Sequence, residues 1–330
     1  MSTEAADEPG EPATARGSVG VELGRRPLFY AVLGPFWAWL VVRWVHDWVL
    51  APELNVTARE TFFPTASLVA AGTTLRGAGA PAPVAGLLDW LAGGMDFVAL
   101  GVEALPQLAA GAWATIVLTV VSILAGLVLA VPLSVARVYG GRAARYPALA
   151  VTELIRGTPL LAQLFVLYFG LGLTQYVREV PGVGVAVLPD TAVVVALIGF
   201  TINSAAYQSE YIRSALLSVD SGQLTAGRAI GLSKVDAIRH VVLPQGLRFA
   251  IPGWSNELVY LIKYSSLASF ITVRELFFRA EEIGNATYRF VEVYTVAALF
   301  YIALVISASA VMSYVEGRVA IPGLGGKGRR

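Results

Sequence analysis

The sequence predicts an all-α integral membrane protein with about six transmembrane helices, and three observations carry that reading. Hydrophobic residues fill 56% of the 330 positions and charged residues only 14%, against about a quarter charged in ordinary globular chains. Mean hydropathy is +0.66. The apolar residues also fall into runs near the roughly 20 residues that cross a bilayer, at about 28–50, 112–136, 158–177, 191–213, 249–271 and 291–314. A water-soluble fold of this length has no interior large enough for so much apolar surface, whereas lipid accepts it as solvent.

In chain order, residues 1–27 are polar, rich in Glu, Ala, Gly and Pro, and are expected to form a disordered cytosolic tail. They lack the basic start and short apolar core of a signal peptide. Residues 28–50 make the first span. Near its outer end Arg43 and Asp47, four apart, read as a local ion pair, and His46 as an interfacial side chain. The stretch 51–107 is apolar but interrupted by Gly77, Gly79, Pro81 and Pro83. It reads as an extracytoplasmic loop with an interfacial helix near 84–105, a re-entrant segment being the alternative. Span three is expected to open with Thr158 as N-cap and Pro159 in the first turn. Gly34-Pro35, Pro132 and Pro252 lie inside spans, where membrane helices tolerate them.

Basic residues set the sidedness. With the N-terminus inside, fifteen Lys and Arg fall in the inner segments. Only Arg59, Arg76, Arg178, Arg274 and Arg279 fall in the outer ones, which are also relatively acidic. Both termini, including a basic tail at 319–330, are therefore expected in the cytoplasm.

The composition excludes several functions. Lys and Arg number 24 and Asp and Glu 23, so no basic excess points to nucleic acid. The absence of cysteine removes disulfides, thiol nucleophiles and Cys-ligated metals. His46 and His240 are the only imidazoles, too few for a histidine metal site. No phosphate-binding loop stands in the chain. The run Gly323-Leu324-Gly325-Gly326-Lys327-Gly328 lacks its spacing and its Ser or Thr. No catalytic residues, cofactor or metal are expected, and ATP hydrolysis would need a separate subunit.

The segment 214–248, between spans four and five, is the most informative. Gly222-Gln223 opens a helical run, and Gly231 is placed to end it in a left-handed cap. Ser233 follows as an N-cap with Asp236 three residues on. A second short helix, Lys234 to Val241, is expected to stop before Pro244. The apolar residues Ile230, Leu232, Val235 and Ile238 need a partner surface, either in an ordinary interfacial hairpin or on another protein.

Polar residues within the spans are functional candidates. Span four carries Asn203, Tyr207, Glu210 and Ser214 on one helical face, and span five carries Asn256, Tyr260, Lys263 and Ser266 on another. Interhelical hydrogen bonding is the alternative role for the Asn and Ser residues. At about 1.5 Å per residue Glu210 lies roughly 5 Å from the inner edge and Lys263 roughly 20 Å, so they do not pair within one subunit. Glu210 is expected to meet Arg213 or Arg156. Lys263, without an acid at its depth, is the candidate for a substrate carboxylate.

The 214–248 run resembles the cytoplasmic "EAA" loop of ABC importer permeases, matching it at Ala226, Gly231 and Val242-Leu243-Pro244, with Thr225 for the Glu and Gly227 for the second Ala. Other segments narrow the resemblance to polar amino acid permeases of the histidine/glutamate/glutamine/arginine type. They are Arg156-Gly157-Thr158-Pro159-Leu160-Leu161, Ala206-Tyr207-Gln208-Ser209-Glu210-Tyr211-Ile212-Arg213, Gly222-Gln223, Leu243-Pro244-Gln245, Lys263-Tyr264-Ser265-Ser266-Leu267 and Glu275-Leu276. The resemblance spans about 108–318, leaving the first span as an addition.

It implies a type I importer permease, a five-helix core with an extra N-terminal helix, in a prokaryotic inner membrane. Its implied partners are a cytosolic ABC ATPase dimer, an extracytoplasmic amino acid-binding protein, and a second permease subunit, identical or sister. It implies ATPase coupling through Gly222, Gln223, Ala226, Gly231, Leu232, Ser233, Val235, Leu243 and Pro244. The implied translocation path or substrate contacts are Lys263, Tyr260, Asn256, Ser265, Ser266, Glu210, Tyr207 and Asn203. The family commonly has Asp where Tyr264 follows the lysine, so a glutamate-like, glutamine-like or neutral amino acid is favoured over a basic one. A secondary transporter would show inverted repeats, and none is visible. A membrane enzyme would need a nucleophile–base set, which is equally absent.

Overall fold

The computed structural model describes residues 27–54, 60–79, 81–184 and 189–319, and the described chain is helical nearly throughout. The tails expected at 1–27 and 319–330 lie outside these residues except for Pro27 and Val319. Helix α1 (Pro27–Val45) continues through a π turn at His46–Leu50 into Ala51–Leu54. Helix α2 (Ala66–Arg76) precedes α3 (Ala82–Tyr139), which has 58 residues. At 1.5 Å per residue α3 is about 87 Å long, far more than a hydrocarbon core of about 30 Å.

Residues 84–105, expected as an interfacial helix within a loop, are therefore the N-terminal part of the helix that carries span two. Pro83 sits in the first turn, where a missing N–H costs nothing. Beyond it Leu100, Ala104, Leu108 and Ala112 are buried against Leu40, Trp44, Ile283, Val293 and Val296, so packing holds the helix straight through the expected boundary. The segment before it is no open loop either. Helix α2 folds back on α3 through Arg76–Asp96 at 2.6 Å and a Thr65 hydroxyl donated to Glu103 at 2.6 Å.

Helix α1 is fastened to this bundle. The Trp44 indole donates to the Ala109 carbonyl at 2.8 Å, and the Trp37 indole donates to Ser307 at 2.8 Å. Arg43 and Asp47 do pair, at 2.7 Å, with His46 beside them half-buried and Arg43 buried. The Glu60 carbonyl and the Phe62 ring, 4.6 Å from the guanidinium, replace its lost hydration.

Span three departs most from expectation. Helix α4 (Arg142–Arg156) is followed by α5 (Leu160–Phe165), which runs on through a π turn to Gly170, and then by α6 (Leu173–Arg178). Leu160–Gly170 lies at 101° to α4. Gly172, at φ +56°, separates it from α6. Pro159, not Thr158, takes the N-cap position of α5. The Thr158 hydroxyl turns back to the Leu154 and Ile155 carbonyls at 3.0 and 3.2 Å and so closes α4.

Helix α7 (Thr191–Ser218) leads into the short helices α8 (Ser221–Ala229) and α9 (Lys234–Ala237). A π turn at Ile238–Val242 joins α9 to α10 (Leu243–Tyr264), which ends in a 3-10 segment, Ser265–Ile271. Helices α11 (Leu276–Thr287) and α12 (Phe290–Val319) complete the chain. Among the described residues three helices, α3, α7 and α12, are long and apolar enough to cross a membrane by length and composition.

Helices α3, α7 and α10 approach closely because glycine stands at their crossings. A Cβ on Gly126 would lie 2.8 Å from the Gln208 amide nitrogen, one on Gly253 2.8 Å from the Tyr211 ring, and one on Gly246 2.7 Å from Leu216. The Gln208 side chain donates to the Ile123 carbonyl at 2.9 Å, adding a polar tie across the first of these contacts.

Candidate functional site

The α8–α9 hairpin stands at the end of the bundle where α7 finishes and α10 begins. The Asp220 carboxylate caps α8 by accepting from the Gly222 N–H at 2.7 Å, and the Gln223 N–H bonds the Asp220 carbonyl at 3.0 Å. The C-terminus is a Schellman closure. The Leu232 N–H reaches the Gly227 carbonyl at 3.2 Å and the Gly231 N–H the Arg228 carbonyl at 3.0 Å. The Ala226 carbonyl accepts from Ile230. Gly231 has φ +93°, the left-handed region that favours glycine. Ser233 caps α9, accepting the Asp236 N–H at 3.1 Å while its hydroxyl donates to the Asp236 carboxylate at 2.5 Å.

Ile238, expected with Ile230, Leu232 and Val235 to need a partner surface, is buried within the fold. Pro244 does not stop the second helix, because residues 234–264 are helical without a break. The π turn bonds the Leu243 N–H to the Ile238 carbonyl, and Pro244 then falls in the first turn of α10, where it needs no donor. Leu243 packs among the apolar residues where α3, α7 and α10 meet. Gly227, the departure from the family pattern, is buried, and a Cβ there would lie 3.2 Å from the Ala237 Cβ, so it is the crossing point of α8 and α9. Thr225 is exposed.

The hairpin presents an apolar surface, with Ile230 80% and Val235 71% exposed. Two ties that the sequence did not reveal fix its orientation. The Lys234 ammonium donates to the Tyr139 carbonyl at 2.9 Å, on the last residue of α3, and Gln245 donates to Gln223 at 3.4 Å.

The polar faces of α7 and α10 behave differently. Asn203 is buried and donates to Gln163 of α5 at 3.1 Å. Tyr207 lies under the Arg156 guanidinium, 5.6 Å from its ring centre. Glu210 meets both partners expected of it, Arg213 and Arg156, the latter at 3.6 Å, and a third, Arg137 of α3, at 2.8 Å. Glu153 of α4 adds a second carboxylate, 3.5 Å from Arg137 and 3.4 Å from Arg156. Glu210 is thus the centre of an ionic joint among α3, α4 and α7, and its two oxygens are engaged by protein cations.

On α10, Asn256, Tyr260 and Lys263 form an exposed face, with Ser266 half-buried at its end. The Lys263 ammonium lies 4.8 Å from the Tyr260 ring centre and has no acidic partner among the described residues. It stands in the last turn of α10, where the aligned carbonyls favour a cation. Ser265 points the other way, fully buried, with its hydroxyl donating to the Ile262 carbonyl at 2.8 Å, so it is a packing residue. Glu257, also on α10, is buried and hydrogen-bonded to Ser204 of α7. An ionisable residue inside an apolar run was the signal that marks it, the same signal that marks Lys263. Among the described residues no group of three or more His, Asp or Glu side chains converges as a metal site would.

Residues 122–321 match the family described as binding-protein-dependent transport system inner membrane component. The chain is 38% identical over 221 residues to the probable amino-acid ABC transporter permease protein YckA of Bacillus subtilis, covering 67% of this chain and 92% of that protein. It is 35% identical over 218 residues to the glutamine transport system permease protein GlnP of Escherichia coli, covering 66% and 95%. The crystal structure of an amino acid ABC transporter with histidines is similar at TM-score 0.56 and 30% identity, over 66% of this chain and 96% of that one. An inward-facing MetNI methionine ABC transporter shares the fold at TM-score 0.55 and 20% identity, over 65% and 97%. Fold and relatives together define an all-helical permease of the ABC transporter class. The chain belongs to the family of binding-protein-dependent transport system inner membrane components.

Proposed function

We propose that this chain is the membrane-spanning permease subunit of an ATP-driven, binding-protein-dependent importer of polar amino acids. A separate cytosolic ATPase dimer supplies the energy, an extracytoplasmic binding protein delivers the substrate, and a second permease subunit completes the pathway. Both termini and the α8–α9 hairpin face the cytoplasm, as the distribution of basic residues favours.

The observation that carries this reading is the capped hairpin with Ile230 and Val235 exposed at its tip. Two large aliphatic side chains held out by a Schellman turn, an N-cap and the Lys234 tie suit a groove on another protein. Helix α10 offers the complementary feature, an exposed polar face with one cation that has no acidic partner among the described residues, suited to a substrate carboxylate in a path shared with the second permease subunit. Tyr264 beside it adds no negative charge, which favours an acidic or neutral amino acid.

The test is reconstitution with the ATPase and binding protein. Ile230→Asp and Val235→Asp together should abolish substrate-stimulated ATP hydrolysis while membrane insertion and thermal stability persist, since both side chains are exposed. Stimulation at the wild-type level would overturn the coupling role.

A further inference from the structure

Helix α4 packs one face on the bundle and leaves another uncovered. At about 100° per residue, Ala148, Thr152 and Ile155 share the face turned to the bundle, with Ala148 and Thr152 buried. On the opposite side Ala143, Pro147, Ala150, Val151 and Leu154 line up, all exposed, Val151 at 50% and Leu154 at 65%. Arg142 lies beside this stripe and Arg145 on the far side of the helix from it, both exposed and in no ion pair among the described residues, and Tyr146, 61% exposed, sits between Arg142 and the stripe. Arg156 and Arg137, by contrast, are occupied by Glu153 and Glu210.

The helix lies at 101° to Leu160–Gly170, across the direction of the next membrane segment. At the elbow Leu154, Ile155, Ala162, Val166, Leu167 and Ile202 line an open cavity of about 290 Å³ with almost wholly apolar walls. A basic polar side, an exposed apolar stripe on the other side, a tyrosine between them and an apolar groove match the chemistry of a helix lying in a membrane interface. A cytosolic partner would account for the stripe but not for its continuity with a groove that opens between membrane segments.

We infer that α4 lies in the cytoplasmic interface of the bilayer, with its apolar stripe among acyl chains and Arg142 and Arg145 on the headgroups of anionic phospholipid. The ionic joint then connects that surface to α7: Glu153 and Arg156 of α4 share Glu210 and Arg137, and α7 leads directly into the coupling hairpin. The leaflet rests on the sidedness proposed above, while the immersion of α4 does not.

The chain has no cysteine, so Leu154→Cys gives one labelling site. In the complete importer reconstituted in phosphatidylcholine–phosphatidylglycerol nanodiscs, a spin label there should collide with lipid-soluble oxygen and be shielded from a water-soluble nickel complex. A label at Val235→Cys should show the reverse in the permease alone. Shielding of residue 154 from both relaxants would mean a protein contact, and free access by nickel would mean water, and either result overturns the inference. Phosphatidylglycerol should also raise the thermal midpoint relative to pure phosphatidylcholine, and Arg142→Gln/Arg145→Gln should lose most of that rise while keeping the midpoint in phosphatidylcholine. A fully retained rise would overturn the headgroup contact. Impermeant maleimide labelling of Val235→Cys in right-side-out vesicles would refute the sidedness alone.

Discussion

Replacing Gly231 separates backbone geometry from packing. Its φ of +93° closes the α8 terminus, and no atom lies within 4 Å of where a Cβ would stand. A side chain here meets open space, so any effect comes from the backbone. An L-residue forced into the left-handed region costs about 1–2 kcal/mol, more for a β-branched one. At 1.4 kcal/mol per factor of ten, that lowers the closed-to-open ratio of the turn by about 5–30-fold. Gly231→Val should therefore abolish substrate-stimulated ATP hydrolysis and uptake in proteoliposomes while the protein still inserts. Gly231→Asn, which tolerates this region, should retain most of both. Gly34→Ala is the control, since that glycine also has open space around it but stands inside a helix. It should be silent. Normal coupling in Gly231→Val would refute the argument that this turn must be closed for the hairpin to dock.

Four further outcomes follow from the geometry. Lys263→Met should raise the substrate concentration for half-maximal ATPase stimulation with basal hydrolysis intact; lost assembly with unchanged substrate dependence would instead make the lysine a structural cation. Glu210→Gln leaves the buried Arg137 without its nearest carboxylate, and hydrogen bonds to charged groups are worth about 1.5–3 kcal/mol. The thermal midpoint of the purified permease should fall, and an unchanged midpoint would dismiss the ionic joint as a stabilising element. Gly126→Ala places a methyl 3.2 Å from the Ala205 backbone nitrogen, so α3 and α7 must part and the midpoint should also drop; a neutral outcome would mean that the crossing yields at no cost. Removing residues 1–26 should leave uptake unchanged at normal expression, and loss of uptake would assign the tail a role.

What was legible in the sequence was local. The Gly231 and Ser233 features each depend on backbone geometry within a few residues, and the structure places both where turns and caps belong, whereas the Asp220 cap of α8 went unread. The Arg43–Asp47 pair and the Glu210–Arg213 pair were readable for the same reason, being one helical turn apart. Contacts between distant segments were not. Arg137 is 73 positions from Glu210, and nothing local selects it among the arginines near the inner ends of the helices. The length of α3 was hidden because Gly and Pro interrupt 77–83 and the residues beyond look like a loop start, whereas burial against α11 and α12 decides their state. Pro244 misled in the opposite direction. A proline breaks a helix by withholding an N–H and by crowding the carbonyl one turn back, and the π turn before Pro244 shifts the hydrogen-bond register so that the proline falls in a first turn.

That register shift bears on how the hairpin acts. Because helix persists from Lys234 to Tyr264, the segment forms a run of 31 residues, about 46 Å at 1.5 Å per residue. One end carries Val235 and the tie from Lys234 to α3, and the other carries Lys263. A flexible stop at Pro244 would have let the hairpin swing independently of the membrane helices. Instead the glycine crossings at Gly126, Gly246 and Gly253 lock α3, α7 and α10 side by side, and close-packed interiors transmit displacement rather than absorb it. The hairpin is joined to all three, through Lys234 to α3, through Val219-Asp220 to α7 and through the π turn to α10. On the coupling role proposed above, a displacement applied at Ile230 and Val235 would reach the Lys263 face as a movement of the three-helix unit. This geometry favours rigid-body tilting over local unwinding as the way nucleotide-driven closure would change access to the path.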